Sequence, residues 1–388
     1  MPPVFVIRQA RVEDVPTLLK LARMVHFINL PADREVIYSK ILRSRECFLK
    51  AAGQEVPEPH HPARDNGAGS GLRAAMRKSE FFMFVLEDTD SGAVLGTSQV
   101  IAKMGGPGNP NYSFKLTRRE YFSKSLQTGT SHIVARLHAD ESGPTEIGGL
   151  ILQSASRGHH LGRLLSFVRF HFIARHRPLF SDRMIAEMMA PISLDGQNML
   201  WEYLGRRFIP LSYTEADKHC QRSREFIEAL LPKSDIYLSL LPPEARDVIG
   251  KVGEETIPAR RMLEKLGFRF KDLVDPFDGG PHLEAVTNDI PIVKATRTAE
   301  LGPAIAPAHA TGRALVSCLN ADGEFRAVDT PCAEERGRVG IPRAAMSELG
   351  WARGTTVGVT PLDDAEPARA DAKRRERKPK SRGRKVRS

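Results

Sequence analysis

The sequence predicts an α/β (α+β) fold, a mixed β-sheet flanked by helices. Phe5-Val-Ile-Arg8 is a short β-type run, and a helical pattern follows it. In that pattern Val15, Leu18, Leu19 and Ala22 share a face, behind an acidic first turn of Glu13 and Asp14. Phe81–Leu86 and Ala93–Ile101 are β-rich runs joined by a polar turn ending in Gly92, which is a hairpin pattern. Ile147–Leu152 is apolar and short enough for a buried strand, and it leads through a loop into an apolar-faced helix from about Leu161 to Arg175. Hairpins interspersed with strand–loop–helix units call for a sheet of mixed direction.

The other elements follow in order. A second amphipathic helix is expected from Asp33 to about Leu49. Residues 51–71 are rich in Pro, Gly and polar side chains and read as a surface loop. His60 and His61 within it lack the Cys or carboxylate partners of a zinc site. Met184–Met189 reads as a strand, Trp201–Gly205 as the end of a helix, and Arg261–Phe270 as helix, glycine stop and returning strand. From about Lys294 short runs such as Ala314–Leu319 predict a small β-rich appendage.

Composition narrows the function classes. The 388 residues are 41% hydrophobic and 27% charged, an ordinary globular balance. No apolar stretch reaches the ~20 residues of a membrane helix, and Met1–Arg8 has no signal-peptide pattern. Four scattered cysteines fit free thiols, so a cytoplasmic chain without a bound metal is expected. The net charge of +10 is concentrated at one end, with eleven Lys/Arg after residue 368 against Asp371 and Glu376. A dedicated nucleic-acid reader carries its charge on a folded face. The tail, 365–388, is expected to be disordered and at most to touch nucleic acid weakly and non-specifically.

The chemistry concentrates in Glu146-Ile-Gly-Gly-Leu-Ile-Leu-Gln-Ser-Ala-Ser-Arg-Gly-His-His-Leu-Gly-Arg-Leu-Leu165. A strand ends, a loop holding Arg157, Gly158, Gly162 and Arg163 follows, and a helix begins. Helix N-termini present unpaired N–H donors that suit a pyrophosphate, especially where glycine lets the backbone approach. The loop resembles the acyl-CoA loop of GNAT acyltransferases, with Arg157 first, Gly162 last, and His160 where the middle glycine is usual.

A wider set of strings resembles the arginine N-succinyltransferases. Phe5–Val15, Phe84-Val-Leu-Glu-Asp-Thr89, Gly162–Ser166, Ala186-Glu-Met188 and Phe226–Lys233 come in family order. Asp247–Gly250, Leu263–Phe270 and Asp275-Pro-Phe-Asp-Gly-Gly-Pro281 are the most distinctive. The resemblance spans roughly residues 4–290. It implies a GNAT-like mixed sheet and transfer of succinyl from succinyl-CoA to the α-amine of arginine, a step of arginine catabolism, by a homo-oligomer. On this reading 1–150 and 151–293 are the two parts of one acyltransferase region, and 294–364 is the appendage. The resemblance also implies that Leu150 contacts the acyl-CoA and that Gly253 occupies the place of a proton-donor histidine. That exchange leaves two alternatives open, a related acyltransferase with another acceptor and an inactive CoA-binding protein.

Direct attack on a thioester requires the amine to lose a proton. Glu146, where the central strand begins, is the candidate base, or else a solvated strand-edge carboxylate. His138 upstream is a second candidate. Glu187 on the next strand is a candidate for holding a cationic group of the substrate. Gly148-Gly149 would let the strand splay and offer an N–H to the oxyanion. Tyr203 and Tyr213 are candidates for protonating the leaving thiolate.

Overall fold

The computed structural model describes residues 5–24, 30–56, 79–157, 160–193, 195–220 and 223–362. Gly158, His60, His61, most of the 51–71 segment and the basic tail lie outside these residues.

Strand β1 (Phe5–Gln9) leads into helix α1 (Val15–Arg23), where Val15, Leu18, Leu21 and Ala22 are buried. Helix α2 (Arg34–Ala51) starts at Asp33, whose carboxylate accepts from the N–H groups of Glu35 (2.9 Å) and Val36 (3.1 Å). The hairpin of β2 (Phe81–Asp88) and β3 (Ala93–Ile101) forms as expected. Its first strand is apolar at every position from Phe81 to Leu86 because both of its faces are covered. Phe81, Met83 and Val85 pack with Val15, Leu18, Ile37 and Ile41. Phe82, Phe84 and Leu86 pack with Leu165, Val168 and Phe172 of helix α3 (Leu161–Arg175). A sheet between two helical layers is the GNAT-like arrangement expected from the sequence.

A long hairpin, β4 (Asn111–Ser123) and β5 (Thr128–Asp140), was not evident in the sequence. It is buried at its root, Asn111–Phe114, and midway along β5 at Val134 and Ala135, and is otherwise largely exposed. Central strand β6 (Thr145–Leu152) and β7 (Arg183–Glu187) follow, then β8 (Ile236–Tyr237), helix α4 (Ile257–Lys265), β9 (Arg269–Val274) and β10 (Pro281–Val286). The sheet order through this part is β1-β2-β3-β6-β7-β10-β9-β4-β5-β8. Within it β6 and β7 are the parallel neighbours; the other pairings are antiparallel.

The C-terminal segment adds β11 (Arg297–Leu301), β12 (Gly312–Leu319), β13 (Phe325–Glu335), β14 (Arg338–Gly340) and β15 (Thr356–Leu362). Their order β12-β15-β11-β14-β13 closes on itself through β12–β13. Strand β13 also pairs with β1, Val6 opposite Val328, so the appendage continues the main sheet. It holds α3 from behind as well: buried His171 bonds Thr360 and Ser317, each at 2.6 Å. Burial keeps this imidazole neutral, with a pKa pushed down to about 3. No described helix is long and apolar enough to cross a membrane.

Candidate active site

A cleft opens where β6 and β7 part. The two strands pair only at Thr145↔Met184 and Glu146↔Ile185. Beyond that point Gly148–Leu150 form one wall and Ala186–Met189 the other. On its far edge β6 pairs with β3, and there the register slips: Gly148 lies opposite Gln99 but Ile151 opposite Thr97. One extra residue sits on β6, a bulge. Gly149 absorbs it at φ +56°, and a Cβ there would stand 2.7 Å from Gln99 Cδ. Both the backbone angle and the space therefore require glycine. No strand register includes Gly149 or Leu150. Backbone N–H groups outside the ladder and beside a cleft are suited to a developing oxyanion.

Helix α3 starts behind this strand, where His160 adopts φ 57° and ψ 6°, the left-handed region. That geometry explains why a glycine is usual in the corresponding loop position: a side chain there costs about 1 kcal/mol. Replacing His160 with glycine is expected to raise unfolding stability by about 0.5–1 kcal/mol in urea titration.

The residues singled out from the sequence fall into two groups. Leu150 and Glu187 line the cleft. Glu146 is buried two residues before Gly148, in the field of Lys40, whose ammonium is pushed down to about 8 by burial against the opposing pull of Glu146. Gly162 lies in the first turn of α3. Arg163 places its guanidinium 4.8 Å from the centre of the Phe167 ring. Arg157 is exposed at the loop and pairs with Glu255 at 3.3 Å. Of the others, Gly253 borders a cleft wall at Met189, and His138, Tyr203 and Tyr213 are not among the residues lining it. His138 is exposed on β5, opposite Ser113. Tyr213 is buried in a separate core, and Tyr203 bonds Glu244 at 3.1 Å on the surface. Gly253 donates to the carbonyl of Met189 (3.1 Å), and a Cβ on it would meet Ala190 O at an ordinary 3.5 Å.

The second wall holds residues that sequence spacing did not assemble. Glu187 accepts from Asn111 Nδ2 at 2.7 Å, and Asn111 Oδ1 accepts from Arg224 at 3.1 Å. His282, 3% exposed, brings Nε2 to 3.8 Å from Glu187. That nitrogen has no hydrogen-bond partner among the described residues. Glu187, Asp275 and His282 offer ligand atoms all within 4.8 Å of one another. Asp278 ties the turn below them to the segment that follows β7, accepting from Gly280 N (2.7 Å) and Ala190 N (3.0 Å). Gly280 packs so closely that a Cβ would lie 1.9 Å from Met188 O.

Burial and repulsion from neighbouring carboxylates push Asp275 and Asp278 up from the ordinary carboxylate range. Asp217 is pushed up to about 6, by burial first and then by Asp275. Several carboxylates held together against their charge form a site that a cation relieves.

A signal for this wall was present. The string Asp275–Pro281 is distinctive because its two aspartates and two glycines build the turn beneath the cleft. Arg169 was also readable, as a cation four residues after Leu165 on the buried face of α3.

The family model described as arginine N-succinyltransferase beta subunit matches residues 68–292. The chain belongs to the arginine N-succinyltransferase family. An arginine N-succinyltransferase of Citrobacter koseri is 33% identical over 323 residues, 82% of this chain and 86% of its own length. One of Escherichia coli is 33% identical over 299 residues, 76% of this chain and 79% of its own. The solved structure of arginine/ornithine succinyltransferase subunit AI from Pseudomonas aeruginosa superposes with a TM-score of 0.74 at 26% identity, covering 92% of this chain and 99% of that one.

Proposed function

We propose that the protein transfers the succinyl group of succinyl-CoA to the α-amine of arginine or a closely related basic amino acid. The observation that carries this reading is one cleft with two unlike walls. One wall is the bulged strand Gly148–Leu150, in which Gly149 and Leu150 lie outside the strand registers, and the other is carboxylate-rich, with Glu187, Asp275 and Asp278. The first suits a thioester, whose oxygen gains charge as the amine attacks. The second suits a guanidinium.

On this reading the acyl-CoA threads between β6 and β7 past Leu150. Its pyrophosphate meets the start of α3, with Arg157, Gly162 and Arg163 around it. The acceptor's side chain points at Glu187. Glu146 takes the ammonium proton directly or through water, and His282 stands ready as an alternative proton acceptor beside Glu187. The amine nitrogen then bonds to the thioester carbon, the C–S bond breaks, and CoA leaves as a thiolate that takes up a proton. Gly253 contributes no side chain to these steps.

The reading includes a cytoplasmic location and self-association. The β4–β5 hairpin suits the latter, because its far end exposes Phe122 and Leu126. The appendage, 294–364, is read as a small β-rich unit that continues the sheet through β13 and braces α3.

Initial rates of thiol release with succinyl-CoA and arginine, ornithine, lysine or agmatine test the acceptor assignment. Arginine or ornithine turning over well above agmatine, which lacks the carboxylate, supports it. Equal rates with every amine, or none with any, contradict it. A metal held by Glu187, Asp275 and His282 is the competing use of the same wall, and undiminished turnover after exhaustive chelation excludes it.

A further inference from the structure

We propose that Arg169 is the receptor for a carboxylate at the far end of the acyl group, so that the cleft selects dicarboxylic acyl-CoA esters over neutral ones of the same length. This inference rests on the acyl-transfer reading and deepens it by naming the residue that recognises the acyl chain.

Arg169 lies on α3 and is 3% exposed. Its guanidinium donates from Nε to Ser166 O (3.2 Å), from Nη2 to Ser166 Oγ (2.7 Å) and from Nη1 to Gly148 O (3.3 Å). All three acceptors are neutral. Among the described residues no carboxylate lies within ion-pair distance of it. Burial alone lowers its pKa to about 9. A buried charge without a counter-charge is costly.

Among the described residues, the other deeply buried arginine is not left in that condition. Arg8, 7% exposed, is held by both oxygens of Asp14 at 2.8 and 2.9 Å and by Glu87.

The position explains the exception. Gly148 opens the bulge where β6 leaves β7, and Arg169 lines the same cleft as Gly149 and Leu150. Of the five N–H groups of a guanidinium, those three bonds leave one on Nη1 and one on Nη2. A carboxylate accepts from two such donors at once. An acyl group whose thioester carbon sits at the bulge and whose chain runs towards α3 ends at this guanidinium. A neutral chain end would instead bury a methyl group against an unmet charge.

The test compares succinyl-CoA with butyryl-CoA, which has the same four-carbon chain and no charge, by isothermal titration without any acceptor. The wild type is expected to bind succinyl-CoA at least about 10-fold more tightly, the worth of a charge-assisted hydrogen-bonded pair. Arg169→Gln is expected to erase that preference by weakening succinyl-CoA while leaving butyryl-CoA within about 3-fold. Arg169→Lys should retain part of it. Equal affinity of the wild type for the two esters overturns the proposal without any variant. So does an Arg169→Gln protein, folded by circular dichroism, that weakens both esters alike. Binding neither ester overturns the acyl-CoA reading together with this one, whereas a binding preference without turnover on any amine leaves Arg169 supported and the acceptor assignment refuted.

Discussion

Replacing Gly149 with valine is expected to lower kcat/KM for acyl transfer by at least about 1,000-fold, with acyl-CoA binding lost in isothermal titration. Two costs combine at this position. The backbone sits at φ +56°, where a β-branched residue is a steric outlier. The added Cβ would also enter the Gln99 side chain, 2.7 Å from Cδ and 2.8 Å from Nε2. The strand escapes both by straightening, and a straightened β6 pairs its Gly149 and Leu150 backbone back into the ladder. The donors suited to the oxyanion are then spent and the cleft narrows. One well-aimed donor is worth about 3–4 kcal/mol in the transition state, so losing the bulge exceeds losing one donor. Gly162→Val is the control: a Cβ there meets only Leu152 Cδ2 at 3.7 Å, an ordinary contact. It should weaken CoA through the loop without touching the bulge.

Glu187→Gln is expected to raise KM for arginine by about 100-fold while succinyl-CoA binding changes little. A guanidinium–carboxylate pair in a part-buried site accounts for about 2–3 kcal/mol. Glutamine keeps the shape and the acceptor for Asn111 Nδ2, bonded at 2.7 Å, so a rise in KM reports the charge.

The same wall sets a pH dependence. Asp217, pushed up from 3.8 to about 6, and the raised pair Asp275 and Asp278 are protonated in the folded chain at pH values where the unfolded chain has already ionised. These groups therefore subtract stability as pH rises from about 4 towards 7, and Asp275 and Asp278 supply their full negative charge to the cleft only above that range. KM for arginine should accordingly fall as pH rises from about 5 to 7, and binding of arginine near pH 6 should release protons measurable from the buffer dependence of the calorimetric heat. Loss of this release in an Asp275→Asn variant would confirm its source, and an unchanged release would place it elsewhere.

How much of this was legible varied with the type of signal. The opening strand and helix, the β2–β3 hairpin, β6 and helix α3 carry strong periodicity, because each has at least one face in the core. Their limits were read to within a residue or two. The β4–β5 hairpin went unread because most of its length is solvated: Lys115, Arg118, Arg119 and Glu120 replace the apolar alternation that marks a half-buried strand. In α1, Leu21 is buried in addition to the expected face, and Leu19 packs against the same core while only partly buried.

At the site, Leu150, singled out through the family resemblance, and Glu187, singled out on its strand, both line the cleft. The carboxylate wall joins Glu187 to Asp275 and His282 through the β7–β10 pairing, in which His282 lies opposite Glu187, and no spacing within either segment shows that pairing. His138 drew notice as a lone titratable residue near the central strand in sequence. The chain carries it instead onto the exposed face of β5, beside Ser113.

Mass spectrometry of the product after incubating the purified protein with succinyl-CoA and arginine tests the central claim most directly. The expected result is arginine carrying one succinyl group on its α-nitrogen, formed in step with free CoA and absent in the Gly149→Val protein. CoA release without a succinylated amino acid, or succinylation of the guanidinium in place of the α-amine, would contradict the account of a cleft that holds the guanidinium at Glu187 and delivers the α-amine to the thioester.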